Sequence, residues 1–130
     1  DDYYKQGLGI NQVLEQDKMA TTLAIEANTT IDALIGEVRV VLQGDFVEQP
    51  QTLLFQWIHP TIKERDFSLE LKRSPTNDYV GQLTTGVDGR WYLQLSADTP
   101  EPWRLKTEVN SQVLNSDSLV TIDFVHHVEK

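Results

Sequence analysis

Residues 67–72 read "FSLELK", with Phe67, Leu69 and Leu71 alternating strictly with Ser68, Glu70 and Lys72. A period of two sends successive side chains to opposite faces, so this stretch is a strand with one face inward. The same alternation recurs along the chain. Leu23, Ile25 and Ala27 alternate with Thr22, Ala24 and Glu26; Val38, Val40 and Leu42 alternate with Arg39, Val41 and Gln43. Trp91, Leu93 and Leu95 form a further inward set, as do Trp103, Leu105, Thr107 and Val109. "TLLFQWI" (52–58) is apolar on both faces, which predicts a central strand, and "SLVTIDFV" (118–125) reads the same way. "DYVGQLTT" (78–85) completes the set, with Gly81 expected at a bulge or a close approach.

Turn clusters separate these runs: "QGDFVEQPQ" (43–51), "RSPTND" (73–78), "TGVDG" (85–89) and "ADTPEP" (97–102). Asp88-Gly89, placed between two strand patterns, predicts a hairpin, with Gly89 at positive φ. Seven to eight short strands with no helical pattern between them predict an all-β, immunoglobulin-like antiparallel sandwich. Ahead of them Tyr3, Gly7, Ile10 and Leu14 share a stripe at helical spacing. The chain thus divides into an N-terminal α-helix over 1–18 and a β-sandwich domain over 19–130.

At 130 residues there is room for one domain with a real core. The net charge of −9 argues against nucleic acid, which needs clustered Lys and Arg, and against an anionic membrane surface. The absence of cysteine removes disulfides and thiolate chemistry. No run reaches the ~18 apolar residues of a membrane span. None of the short signatures of covalent, metal-dependent or nucleotide-dependent catalysis is present, and no catalytic residue is assigned.

The candidate metal ligands are His59, His126, His127 and Met19. Copper(I) favours several His, Cys or Met donors, but adjacent His126 and His127 point to opposite faces of a strand. The alternative is that His59 closes a strand where Pro60 stops the ladder. Trp91 and Trp103 are expected in the core. Trp57 is either core or part of a surface patch.

The ordered landmarks are more specific than any one of them. They run "DDYYKQGLGINQ" (1–12), "WIHPT" (57–61), Arg65-Asp66, "DYVGQL" (78–83), "GRWYLQL" (89–95) and "PWRL" (102–105). In this order they resemble the FixH family, also called CcoH. These are small membrane-anchored proteins associated with assembly of cbb3-type cytochrome c oxidase. The resemblance implies a membrane helix ahead of Asp1, Tyr3 and Tyr4 at the headgroup level, and a periplasmic β-domain at the bacterial inner membrane. It implies a non-enzymatic role in oxidase assembly or maturation through protein–protein contacts, without a cofactor. The partners would be oxidase subunits or their assembly factors, and a copper-transporting P-type ATPase. Interaction candidates are Tyr3, Tyr4, Gly7, Trp57, His59 and Asp66, with Pro60, Gly89, Arg90 and Trp91 as further matching positions. Two other readings stand beside it: copper delivery toward the oxidase, and a generic extracytoplasmic sandwich that binds by strand addition.

Overall fold

A computed structural model describes residues 9–32, 35–46, 48–84, 87, 89–97, 102–109 and 119–125. One helix, α1 (Gly9–Thr22), precedes eight strands. They are β1 (Glu26–Asp32), β2 (Glu37–Gln43), β3 (Thr52–Ile58), β4 (Phe67–Arg73), β5 (Tyr79–Gln82), β6 (Trp91–Ala97), β7 (Trp103–Val109) and β8 (Leu119–Val125). All described pairings are antiparallel, in the order β7-β6-β3-β4-β5-β2-β1-β8.

This order divides into two leaves. β7-β6-β3-β4 and β5-β2-β1-β8 are joined through only two residue pairs, Lys72 with Val80 and Arg73 with Tyr79. The leaves face each other across one core, where Phe55 of β3 meets Phe124 of β8 edge-on at 6.0 Å. The end strands β7 and β8 also lie close together. Strands β2 and β5 pair as B and E do in an immunoglobulin-type domain, and β3, β6 and β7 as C, F and G. The fold is the all-β sandwich expected from the alternation.

Burial follows the period of two. Leu53, Phe55 and Trp57 of β3 and Trp91, Leu93 and Leu95 of β6 point inward, as do Trp103 and Leu105 of β7. Gly81 keeps regular register opposite Val38, so it is no bulge. It marks a close approach: a Cβ there would collide with Leu71 and sit 3.1 Å from the Glu70 carbonyl oxygen. Tyr79 is buried, and its hydroxyl donates to the Pro50 carbonyl at 2.5 Å, pinning the β2–β3 crossover. Burial pushes its phenol pKa up.

Four expectations are corrected. The helix continues past residue 18 to Thr22, so the strand read from Thr22 starts only at Glu26. Ala24 has φ 53°, and its N–H donates to the Thr21 carbonyl at 3.0 Å while Ile25 N–H donates to Ala20 at 2.9 Å. This is a Schellman ending, with buried Ile25 and Ala20 at its apolar contact positions. Second, Leu14 of the helical stripe is 47% exposed and does not anchor α1. The helix packs on β7 through buried Ala20 and half-buried Met19. Third, Asp88-Gly89 makes no hairpin, because β5 pairs with β2 and β4 while β6 pairs with β3 and β7. Gly89 does have φ 92°, but it lies on a crossover between the leaves. Fourth, β8 is not central: it pairs with β1 at one end of the order.

Candidate functional site

β3 ends where the sequence places Pro60, which has no N–H to give the ladder. The chain then turns back through a 3₁₀ turn, Lys63–Arg65, into β4. His59 and Asp66 close this loop together. His59 N–H donates to Asp66 Oδ1 at 2.7 Å. His59 Nδ1 accepts from the backbone N–H of Ile62 at 2.9 Å and of Thr61 at 3.2 Å. A ring nitrogen that accepts two N–H groups carries no proton, so the imidazole is the Nε2–H tautomer. The side chain acts as an internal cap for the turn.

Beneath the loop lies an aromatic stack. The His59 ring meets Trp91 edge-on at 5.2 Å, and the Arg65 guanidinium lies 5.2 Å from the centre of the same Trp91 ring. Trp91 in turn contacts Trp57 at 5.8 Å and Phe67 at 5.6 Å, and Trp57 stacks on Phe67 at an interplanar angle of 11°. A cation over an indole contributes about 0.5–1 kcal/mol at such a site. Both tryptophans are buried. The cluster is therefore a pedestal, and the loop presents Ile62, 46% exposed, beside exposed Thr61, Lys63 and Glu64. Ile35, 61% exposed, lies in the β1–β2 turn at the same end of the sandwich.

The structure thus brings together His59, Pro60, Asp66 and Trp91 from the sequence-derived set. Trp57 belongs to the pedestal, which removes it as a surface contact. Arg90 points elsewhere, donating to Glu108 at 2.9 Å with its guanidinium 5.4 Å from the Tyr92 ring. Met19 packs against the core from α1. Tyr3, Tyr4, Gly7, His126 and His127 lie outside the described residues. Arg65 and Ile62 were missed as functional positions. Arg65 was visible only as half of a landmark dipeptide, and nothing local to it announces Trp91 on another strand.

The class so defined is an all-β sandwich with an N-terminal helix, carrying at one end a loop set on an aromatic pedestal. The FixH family model matches residues 1–110, which take in α1 and β1 through β7, and the chain belongs to the FixH family. No curated protein and no solved structure matches it.

Proposed function

We propose that this chain is the periplasmic domain of a membrane-anchored FixH protein that supports assembly or maturation of cbb3-type cytochrome c oxidase. It does so by docking, without catalysis or a resident cofactor. FixH membership over residues 1–110 carries this reading. No helix of the described residues is long and apolar enough to cross a membrane, so on this reading the anchor lies ahead of α1. A tether of that kind confines the domain to the bilayer surface and raises its effective concentration near membrane partners.

The pedestal loop supplies the contact. Its backbone is fixed by His59 and Asp66, so presenting Ile62 costs little ordering entropy on binding. Two observations favour docking over the other readings. His59 Nδ1 is occupied by backbone donors and Nε2 carries the ring proton, so in this arrangement neither nitrogen offers a lone pair to a metal. The β7 end of the sheet carries α1 and lies beside β8, which opposes strand addition there.

The test is co-purification of the anchored protein with oxidase subunits, comparing wild type with Ile62→Asp and Ile35→Asp. Loss of roughly tenfold or more of the captured oxidase, with the thermal midpoint unchanged, is the expected result. Undiminished capture by both variants would exclude this end as the contact. Capture by neither variant nor wild type would exclude the docking function.

A further inference from the structure

Backbone N–H groups just past a chain reversal are ordinarily taken up by a side-chain oxygen of Asp, Asn, Ser or Thr. In the pedestal loop a histidine fills that place. His59 Nδ1 lies as many bonds from Cβ as the Oδ1 of an asparagine does, and it accepts from Thr61 N–H at 3.2 Å and Ile62 N–H at 2.9 Å. The Thr61 hydroxyl stands 3.5 Å from the same nitrogen. The geometry asks only for an acceptor. What histidine adds to it is a change of charge between about pH 5 and 8.

We infer that His59 is a proton-operated latch on the pedestal loop: the neutral ring closes the turn that presents Ile62, and a proton on Nδ1 opens it. The inference rests on the docking reading and supplies its regulation. A protonated Nδ1 is a donor without a lone pair. It meets the N–H groups of Thr61 and Ile62 donor against donor, and both bonds are lost. Thr61 and Ile62 are exposed, so their amides pass to water and no buried group is left without a partner. The bond from His59 N–H to Asp66 Oδ1 at 2.7 Å does not involve the ring. The end of β3 therefore stays tied to the start of β4 while the turn between them opens.

The sign follows from the hydrogen bonds. The closed turn takes no proton at Nδ1, and the open turn does. Closure is therefore complete above the histidine range and is lost as the pH falls. Below about pH 6.5, the ordinary value for an exposed histidine, the ratio of closed to open turn drops by up to about tenfold per pH unit. The charges around the ring leave this sign in place. Asp66 and Glu64 are matched by Lys63 and Arg65 on the same loop. From β6 the ring meets only the edge of Trp91 at 5.2 Å, with the Arg65 guanidinium over that indole. The neighbouring Arg90 is turned to Glu108 of β7. Among the described residues no group of one sign dominates the loop, so the two backbone donors at Nδ1 decide the outcome. An open turn must be ordered again before Ile62 can be buried against a partner, and this weakens docking in acid.

The 130-residue chain tests the latch without any partner. Nitrogen NMR of the ring at about pH 8 should place the proton on Nε2. Between about pH 8 and 5 the amide signals of Thr61 and Ile62 should move together with the His59 ring. His59→Asn keeps an acceptor at the same reach and removes the titration, so in that variant both amides should stay fixed. A ring proton on Nδ1 at the alkaline end overturns the latch. So do Thr61 and Ile62 amides that ignore the titration, or that move equally in His59→Asn. Capture of oxidase subunits by the anchored protein reads the regulation. Wild type should lose roughly tenfold between about pH 7.5 and 5.5, and His59→Asn should lose little. Equal capture by wild type at both pH values overturns the control of docking. Absence of capture at every pH, with the amides moving as expected, overturns the docking reading and leaves the latch standing.

Discussion

Ala24 occupies a position that chemistry reserves for glycine. Its φ of 53° closes the Schellman ending of α1, and an L side chain there costs about 1 kcal/mol. Ala24→Gly should therefore stabilise the domain by about 1 kcal/mol, read as a rise of roughly 3–5 °C in the thermal midpoint. The missing glycine also explains why the helix end was misplaced. Without that stop signal, Thr22, Ala24 and Glu26 opposite Leu23, Ile25 and Ala27 look like a strand from the outset. His59 was legible as a landmark and as the end of a strand. Its use as an acceptor for two backbone N–H groups was not, because that depends on how the loop returns. Asp78 shows the same limit. Its carboxylate accepts from the Ser74 hydroxyl, from Arg39 Nη1 at 2.5 Å and from the Thr76 hydroxyl at 2.8 Å. Those bonds, Ser74 first and then Arg39, hold its pKa well below the usual carboxylate range. A pKa lower in the folded than in the unfolded chain gives stability that is complete above the unfolded value. It is lost as pH falls through the folded one. Asp78→Asn should flatten the loss of stability between about pH 4 and 2 and lower the plateau at pH 7 by about 1–3 kcal/mol. Denaturant unfolding across that pH range checks both.

At the scale of elements, the helix and the sheet are coupled through the carboxylate of Asp17. Asp17 binds Arg104 in a two-pronged contact, with Lys106 Nζ 3.7 Å from the same carboxylate. The Arg104 side chain is only 9% exposed. Asp17→Ala strands a nearly buried guanidinium, and should cost about 2–4 kcal/mol. Hydrogen exchange along α1 should quicken before exchange in β3 and β6 does. The double variant Asp17→Leu with Arg104→Met should recover most of the loss, because an apolar pair needs no desolvation of charge. None of this coupling was readable from the helix itself. Its first turn carries no acid and its last turn no base, so the sequence shows no local sign of what fixes it. The strands were easier. β4, β6 and β7 were recognised because each has one wet and one dry face, and β3 because it is apolar on both. Their neighbours were not, since register and partner depend on residues far away in sequence. Gly89 illustrates the difference: its positive φ was right and the inferred pairing was wrong.

Across the whole molecule, the three tryptophans report on one core. Trp57 and Trp91 lie in one cluster, and Trp103 meets Phe46 of the β2–β3 crossover at 6.2 Å. All three are buried. Because both leaves share this interior, unfolding should be a single cooperative transition. Tryptophan emission and far-ultraviolet circular dichroism should give coincident denaturation curves. Separate midpoints would mean that the leaves unfold independently. The sandwich class was legible from alternation and turn spacing, whereas the narrow two-pair junction between the leaves was not. That junction depends on β4 and β5 meeting only at the "RSPTND" turn, where Arg39 reaches across from β2 to Asp78. The position of β8 carries a further consequence, for the order of events as the chain emerges and folds. Its ladder with β1 joins the first and last described strands, and the Asn28 amide donates to Asp123 across 95 residues of sequence. Until β8 has emerged and paired, the outer edge of β1 has no neighbour. Closing the sheet is then a long-range step that follows the local pairings of β3 with β4 and β6 with β7. A chain emerged only as far as Leu119 would present β1 as an open template for other strands, so prompt arrival of β8 becomes part of how this protein avoids aggregation.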